Sequence, residues 1–394
     1  MSASRVAIAH DYLTQFGGAE RVVATWSRLF PEAPIYTMAY APHHTFPEFR
    51  GRAVVLPPFG GNRVFAGSVA SFLPVLPLVA SSIRVSGPVD WVLASTSGFA
   101  HGFRAEVPIV AYCHSPARWL YETGDYSAQI GALRRGSLRM MSGYLRRADR
   151  TAASRVTRYI ANSIVTRERI WRAYGIEAPV VHPPVAMPAA GREGGSGFAL
   201  PDVFALCVAR RRGYKNLAFA ADAARRAGIP LVVVGAGTEE IGSSWPGVHG
   251  LGRVSDEQLA SLYAEASVLL AVAHEDFGLT PVEAAQAGTP TVAIDRGGYR
   301  ETVLHGVNGL LVPETGADVA DAVRQVVRHD WDHATVRLTA ERFAPARHRR
   351  ALLLAAGEVT GIPLQQPVVP RSIPVPRSPV PWTLDPDVRT PNPA

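Results

Sequence analysis

SVLLAVAHEDFGLTPVEAAQAGTPTVAI, residues 267–294, decides how this chain is read. The run VLLAVA has the length and composition of a strand buried on both faces. It stops at His274-Glu275-Asp276, turns at Phe277-Gly278-Leu279 and resumes as a helix at Thr280-Pro281, with proline suited to the first helical position. TVAI is the next strand. Strand, glycine turn, helix and strand form the unit of a parallel α/β sheet, which binds ligands at the carboxyl ends of its strands. Glu275 falls at such an end and has no helix to cap. Glu283 has a bland alternative, because Thr280-x-x-Glu283 reads as a capping box that ties the carboxylate to the helix's own amide. The free amides of that helix start make an anion site.

The same alternation extends in both directions. FALCVA, a helix over 216–227, IPLVVVG, VHGLGRV and a helix over 255–265 come before the deciding stretch, and NGLLV comes after it. At the N-terminus RVAIAHDYL (5–13) reads as strand, Gly17-Gly18 as turn and the residues from Val22 as helix. WVLAST, VPIVAYCH and YIANS are further strands. VVHPPVAMPAAGREGGSG (180–197) shifts to linker composition. The expected organisation is an α/β domain over 1–183, a linker over 184–197, a second α/β domain over 198–345, a helix over 346–361 free to return to the first domain, and a proline-rich disordered tail over 362–394. The most apolar window, 64–85, is interrupted by Pro74 and Pro77 and reads as a buried or surface-lying helical segment, not a membrane span.

The chain has 394 residues, a formal charge of +7 and a pI of about 9.7, which favours anionic partners. Its arginine-rich stretch over 133–158 reads as a solvated helix or as a face for anionic lipid. It lacks the interleaved aromatics or helix-turn-helix cue of a nucleic-acid binder, so no nucleic acid is expected. Cys113 and Cys207 sit in apolar runs and read as buried hydrophobes, which suits a reducing cytoplasm. Gly235-x-Gly237 lacks the third glycine of a dinucleotide fingerprint, and there is no P-loop. The two Asp-x-Asp sequences, 330–332 in an expected helix and 385–387 in the tail, miss the strand ends where they would hold a metal, so none is expected. Lys215 is the single lysine among 40 Lys and Arg residues, and Arg210, Arg211 and Arg212 stand just before it.

Glu275 and Glu283 have seven residues between them, in the wording E-D-F-G-L-x-P-V-E-A. This resembles the Glu-x7-Glu signature of retaining glycosyltransferases of family 4, which have the GT-B fold of two Rossmann-like domains facing a central cleft. HDYLTQFGGAERV resembles the family's N-terminal glycine loop, and YCHSPARWLY its histidine-bearing segment. IANS, VVHPPV, the Arg210-to-Lys215 interval, LGRVSDEQLASLYAEA and GGYRETVLHGVNGLL follow in the family's order. The resemblance covers roughly residues 5–345, and its wording is nearest to bacterial mannosyltransferases of surface polysaccharides.

The resemblance implies roles. Arg210 and Lys215 would grip the donor diphosphate, with the lysine stabilising it as it leaves; Arg211 and Arg212 compete with Arg210 for that place or form a solvated turn. A compact ammonium fits a crowded phosphate site where a planar guanidinium does not. Gly17 and Gly18 would admit the diphosphate to backbone amides through close approach and unusual dihedrals, or simply make a turn. His114, at a strand end facing the cleft, would contact the sugar and stabilise an oxocarbenium ion; otherwise it is a core histidine. Glu275 would hold the transferred hexose and Glu283 the ribose. Phe277, Gly278, Leu279 and Thr280 would serve sugar and phosphates, with Arg253 and Val254 near the base. His274 departs from the acid usual in relatives, which touches sugar selectivity. The implied donor is GDP-mannose, with a UDP- or dTDP-sugar as alternative, and the implied acceptor a glycan or lipid-linked glycan at the inner face of the membrane. A nucleotide-sugar-binding protein without catalysis is the rival of another class.

Overall fold

Strands rich in Val, Ile, Leu and Ala build two separate sheets and are buried on both faces, as all-parallel packing demands. The computed structural model describes residues 5–67, 69–122, 132–188, 195–209, 216–241 and 245–360. In the first sheet β1 (Val6–His10), β2 (Ile35–Thr37), β3 (Val54–Val55), β4 (Trp91–Thr96), β5 (Ile109–Cys113) and β6 (Arg158–Ala161) run in the order β3-β2-β1-β4-β5-β6. In the second, β7 (Ala205–Val208), β8 (Leu231–Val234), β9 (Val248–Gly252), β10 (Val268–Ala271), β11 (Thr291–Ile294) and β12 (Gly309–Val312) run in the order β12-β11-β10-β7-β8-β9. Every pairing between these strands is parallel.

Counted within its own sheet, each order is the doubly wound 3-2-1-4-5-6. The order reverses between β1 and β4 in one sheet and between β7 and β10 in the other. Crossovers diverge at such a switch point and leave a crevice outside the strands' carboxyl ends. Both candidate sites lie at one.

The chain divides into two compact units. One runs to Pro184 and resumes at Pro345; the other is Val185–Ala344. In the first unit, alternate residues of β1 serve opposite faces of the sheet. Val6 and Ile8 join a core with Trp26, Leu93 and Tyr112, while Ala7 and Ala9 join another with Val92 and Ala94. The second unit has one continuous core on which β7, β8, β10 and β11 all converge.

The main helices start and stop for local reasons. They are α1 (Gly18–Leu29), α2 (Ala132–Ala153), α3 (Ile164–Tyr174), α4 (Leu217–Ala227), α5 (Asp256–Glu265), α6 (Leu279–Ala287), α7 (Gly316–Arg328), α8 (His333–Ala340) and α9 (Pro345–Thr360). Ser163 caps α3, and Ser255 with Gln258 forms a full capping box on α5. Helix α9 belongs to the first unit: Leu352, Ala355 and Ala356 pack into the core of Ile8 and Trp26. Trp26 Nε1 donates to His348 Nε2 at 2.9 Å, and His348 Nδ1 donates to the His182 carbonyl at 2.7 Å. Burial holds the His348 pKa down at about 4, so the ring is neutral.

Two local expectations change. The window 64–85 is no single helix; it forms short pieces over Arg63–Gly67, Val69–Phe72 and Leu76–Ser82, with Pro74 in the break before the last piece and Pro77 in its first turn, where a missing N–H costs no helical bond. Asp330-Trp331-Asp332 lies in the break between α7 and α8, not inside a helix. Asp332 there accepts from the Ala334 and Thr335 amides as an N-cap, which is what its sequence position serves. Among the described residues no helix is long and apolar enough to cross a membrane.

Candidate active site

In the N-terminal unit, strand register places His10, the last residue of β1, beside Ser95 of β4. His114 follows β5 directly, its backbone N–H donating to the Thr96 carbonyl at 2.9 Å. Three polar side chains therefore meet at one switch point. His10 Nδ1 lies 3.0 Å from Ser95 Oγ, and Ser95 Oγ lies 2.8 Å from His114 Nε2. On its other side His10 Nε2 is 3.7 Å from Glu20 Oε1, and both side chains are only 2% exposed. Gln15 Nε2 donates to the same Glu20 oxygen at 2.9 Å.

The two imidazoles are pushed apart electrostatically. Burial opposes charge on His10, but Glu20 and Asp11 outweigh it and raise the pKa above 6.5. Burial, with repulsion from His10 and His348, lowers His114 to about 3. His114 is thus a neutral, half-buried ring. Asp11 holds the neighbouring loop by accepting from the amides of Ser97 at 2.6 Å, Phe99 at 2.9 Å and Ala100 at 2.6 Å.

At Gly17 the dihedral part of the expectation changes. Gly17 is the N-cap of α1 with φ −120°, which any residue adopts, so unusual dihedrals are not its reason. Its reason is space, since a Cβ there would collide with Glu20 Oε2.

In the C-terminal unit Glu275 lies beyond the carboxyl end of β10. Its loop rests on Gly297-Gly298: the Gly298 amide donates to the Glu275 carbonyl at 3.0 Å. A Cβ on Gly297 would come within 2.5 Å of that carbonyl, and one on Gly298 would overlap the Phe277 backbone. Gly278 has φ +85° and would drive a Cβ to 2.7 Å from the Tyr299 ring, so it must be glycine. Phe277 is buried edge-on against Phe343, with centroids 5.4 Å apart. Leu279 and Thr280 are half-buried.

The capping box expected at Thr280 is absent. Helix α6 begins two residues early, with Gly278 as N-cap, so Thr280 and Pro281 fall at its second and third positions and no side chain caps the end. Glu283 is buried and accepts a hydrogen bond from the Tyr263 hydroxyl at 2.7 Å, across from α5. The carboxylate is held by another helix rather than spent on its own. Arg253 is exposed and Val254 half-buried, after Gly252, whose amide donates to Thr238 Oγ1 at 2.9 Å. His274 Nε2 lies 2.7 Å from Glu314 Oε1, which with Arg296 forms a small charged group beside Glu275.

Arg210, Arg211, Arg212 and Lys215 lie outside the described residues. Their flanks are described: the Ala209 amide donates to the Val234 carbonyl at 2.9 Å, and the side chain of Asn216, in the left-handed region at φ 53°, reaches the Val272 carbonyl at 3.5 Å. Both flanks are therefore at the β7–β10 switch point. Sequence reading missed His10, Glu20, Ser95, Tyr263, Gly297 and Gly298. The Gly-Gly pair after β11 was a usable signal; for the others the only cue was a polar residue next to a strand end.

A family profile described as Glycosyltransferase Family 4 matches residues 16–186, and one described as Glycosyl transferases group 1 matches residues 201–329. This chain belongs to the family 4 glycosyltransferases. The family 4 chain is 32% identical over 158 residues to the D-rhamnosyltransferase WbpZ of Pseudomonas aeruginosa, covering 37% of this chain and 41% of that one. It is 37% identical over 110 residues to a phosphatidyl-myo-inositol mannosyltransferase of Mycobacterium leprae, covering 26% and 29%. These matches span less than half the length of either relative. Among solved structures it is similar to Anabaena HepE, crystallised with UDP and glucose, with TM-score 0.64 and 19% identity over 90% of this chain and 100% of that one. The fold of this family 4 member is GT-B, built from two Rossmann-like domains.

Proposed function

We propose that this protein is a retaining glycosyltransferase that moves a hexose, mannose from GDP-mannose as the first reading, onto a glycan or lipid-linked glycan acceptor. The observation that carries the reading is the paired placement of Glu275 and Glu283 at the β10 end. One sits on a glycine-clamped loop and the other is freed from capping by Tyr263. Two named relatives transfer D-rhamnose, which is 6-deoxy-D-mannose, and mannose, and this supports a manno-configured sugar.

In this reading Glu275 binds the hexose hydroxyls and Glu283 the ribose. Arg253 and Val254 line the base, and Gly17, Gly18, Phe277, Gly278, Leu279 and Thr280 take up phosphate and sugar. The bond from the anomeric carbon to the phosphate oxygen breaks as the acceptor oxygen bonds to the same face. The departing phosphate oxygen accepts the acceptor's proton. Arg210 and Lys215 stabilise the charge that develops on the diphosphate, work that typically accounts for about 10²–10³ in rate per donor. His114, being neutral, offers the sugar a hydrogen bond without repelling an oxocarbenium ion. No metal is invoked, and action is placed in the cytoplasm at the membrane's inner face.

Thermal denaturation with GDP, UDP, ADP and dTDP in turn, without added metal, tests the donor. A ligand at 100 times its dissociation constant stabilises by about 2.7 kcal/mol, visible as a shift of a few degrees. The expected result is a shift with GDP alone. A shift with another nucleotide replaces the donor while keeping the reaction class, and no shift with any of them rejects the donor site.

A further inference from the structure

The side chains of His10, Ser95 and Glu20 are each at most 2% exposed and connect to one another and to His114, although the reaction just described uses only His114. Two atoms of the set, His10 Nε2 and Glu20 Oε2, are buried without a hydrogen-bond partner. Burying an ion pair costs several kcal/mol per charge before its attraction is counted, so a packed apolar cluster would serve stability as well or better. The arrangement asks for another account.

Hydrogen positions follow from the acceptors. His10 Nδ1 faces the Ser95 carbonyl at 3.3 Å as well as Ser95 Oγ at 3.0 Å. A carbonyl can only accept, so Nδ1 carries hydrogen. His10 Nε2 faces the Glu20 carboxylate, which also only accepts. With acceptors at Nδ1 and the Glu20 carboxylate 3.7 Å from Nε2, the charged form of His10 is favoured, and Asp11 adds a second negative neighbour. Ser95 Oγ, accepting from His10, has its own hydrogen left to donate, and His114 Nε2 lies 2.8 Å away. A ring that accepts at Nε2 and is neutral carries its hydrogen on Nδ1. That nitrogen has no hydrogen bond to any described residue.

We propose that Glu20, His10 and Ser95 form a buried relay that fixes the His114 ring as a neutral Nδ1–H donor, aimed outward at the transferred sugar. The three are positioning residues, and their effect on transfer rests on the glycosyltransferase reading given above. The relay also links the glycine turn to the imidazole, because Glu20 is the side chain that crowds Gly17. Any movement of that turn on phosphate binding shifts the carboxylate that begins the chain. The hydroxyl of Ser95 is the narrow point, since among the described residues it is the side chain that hydrogen-bonds to both rings.

The test uses full-length protein labelled with ¹⁵N-histidine. His10 and His114 are assigned by the signals lost in His10→Gln and His114→Gln. In the wild type at pH 7, His114 should show the Nδ1–H tautomer and His10 should be doubly protonated. Ser95→Ala removes one buried oxygen, should release the His114 tautomer and should lower kcat about tenfold, as expected for one lost hydrogen bond, with donor KM unchanged within twofold. His10→Gln should lower kcat in the same direction and serves where Ser95→Ala folds poorly. An Nε2–H tautomer in the wild type overturns the relay, as do unchanged His114 signals in Ser95→Ala. A released tautomer with full kcat overturns the positioning role. A relay that behaves as expected in a wild type that transfers no sugar from any nucleotide donor instead rejects the glycosyltransferase reading and leaves the relay standing.

Discussion

The two switch points of this protein solve the same problem by opposite means. At β1–β4 the partly exposed group, His114, is held through buried polar side chains: the His10–Glu20 pair and the Ser95 hydroxyl. At β7–β10 the half-buried group, Glu275, is held through backbone. Its loop is pressed onto Gly297 and Gly298 closely enough to exclude a Cβ at either. Side-chain wiring can set a proton's position, which backbone packing cannot. Backbone packing fixes a loop without burying charge, which side-chain wiring cannot.

The largest effect expected from this contrast is on stability at the N-terminal site. Glu20→Ala strands a buried imidazolium, and losing one partner of a buried pair typically costs about 3–5 kcal/mol. Urea unfolding followed by fluorescence measures it; a loss below 1 kcal/mol would mean that the site is not charge-wired at all. Next comes Lys215→Arg, expected to leave unfolding unchanged while turnover falls about 10²–10³-fold, equivalent to roughly 2.7–4 kcal/mol. Near-normal turnover in that variant would remove the reason for the lone lysine.

Acid should separate the buried histidines by sign. His114 and His348 have folded pKa values lowered to about 3 and about 4, so the stability they contribute is complete above the ordinary 6.5 and is lost as pH falls towards those values. The loss per group is about 1.4 kcal/mol per pH unit inside that window. His10, raised, runs the other way: its contribution is complete below 6.5 and is lost as pH rises through its folded value. Denaturant midpoints taken between pH 7 and 5 should fall, and less steeply in His348→Gln. A flat wild-type profile would place both lowered rings in water. The smallest effect is at the backbone clamp, where Gly298→Ala forces the Phe277 loop to move at a typical overpacking cost of about 1–3 kcal/mol. The midpoint should drop, and the GDP-induced thermal shift should drop with it. An unaltered shift would detach the clamp from the donor site.

Much of this was legible in the sequence. Unbroken apolar runs between glycine turns specify parallel strands, and the Glu275-to-Glu283 wording carried the family. Legibility failed where a long-range partner decided the outcome. Thr280 looked like a cap because capping is judged over four residues, whereas Glu283 is claimed by Tyr263, 20 residues away on another helix. Ser95 and His10 are 85 residues apart and meet only because β1 and β4 are neighbours in register, a fact of strand order that no local pattern contains. At Gly17 the sequence showed the pair but not the Glu20 carboxylate packed against it, which a Cβ would meet.

Helix α9 has a consequence for how the molecule is made. Trp26 meets His348 across 322 residues of chain, with the whole of the second unit translated in between. At roughly 5–20 residues per second, on the order of ten to thirty seconds of synthesis separate Pro184 from the residues that close the first core. Val185–Ala344 is uninterrupted and can close as soon as it clears the ribosome, so the half that begins first is the half that finishes last. In the interval the surface destined for Leu352 and Ala356 stands open on the nascent chain. A stop codon placed just before Pro345 should therefore yield a chain that chaperones retain.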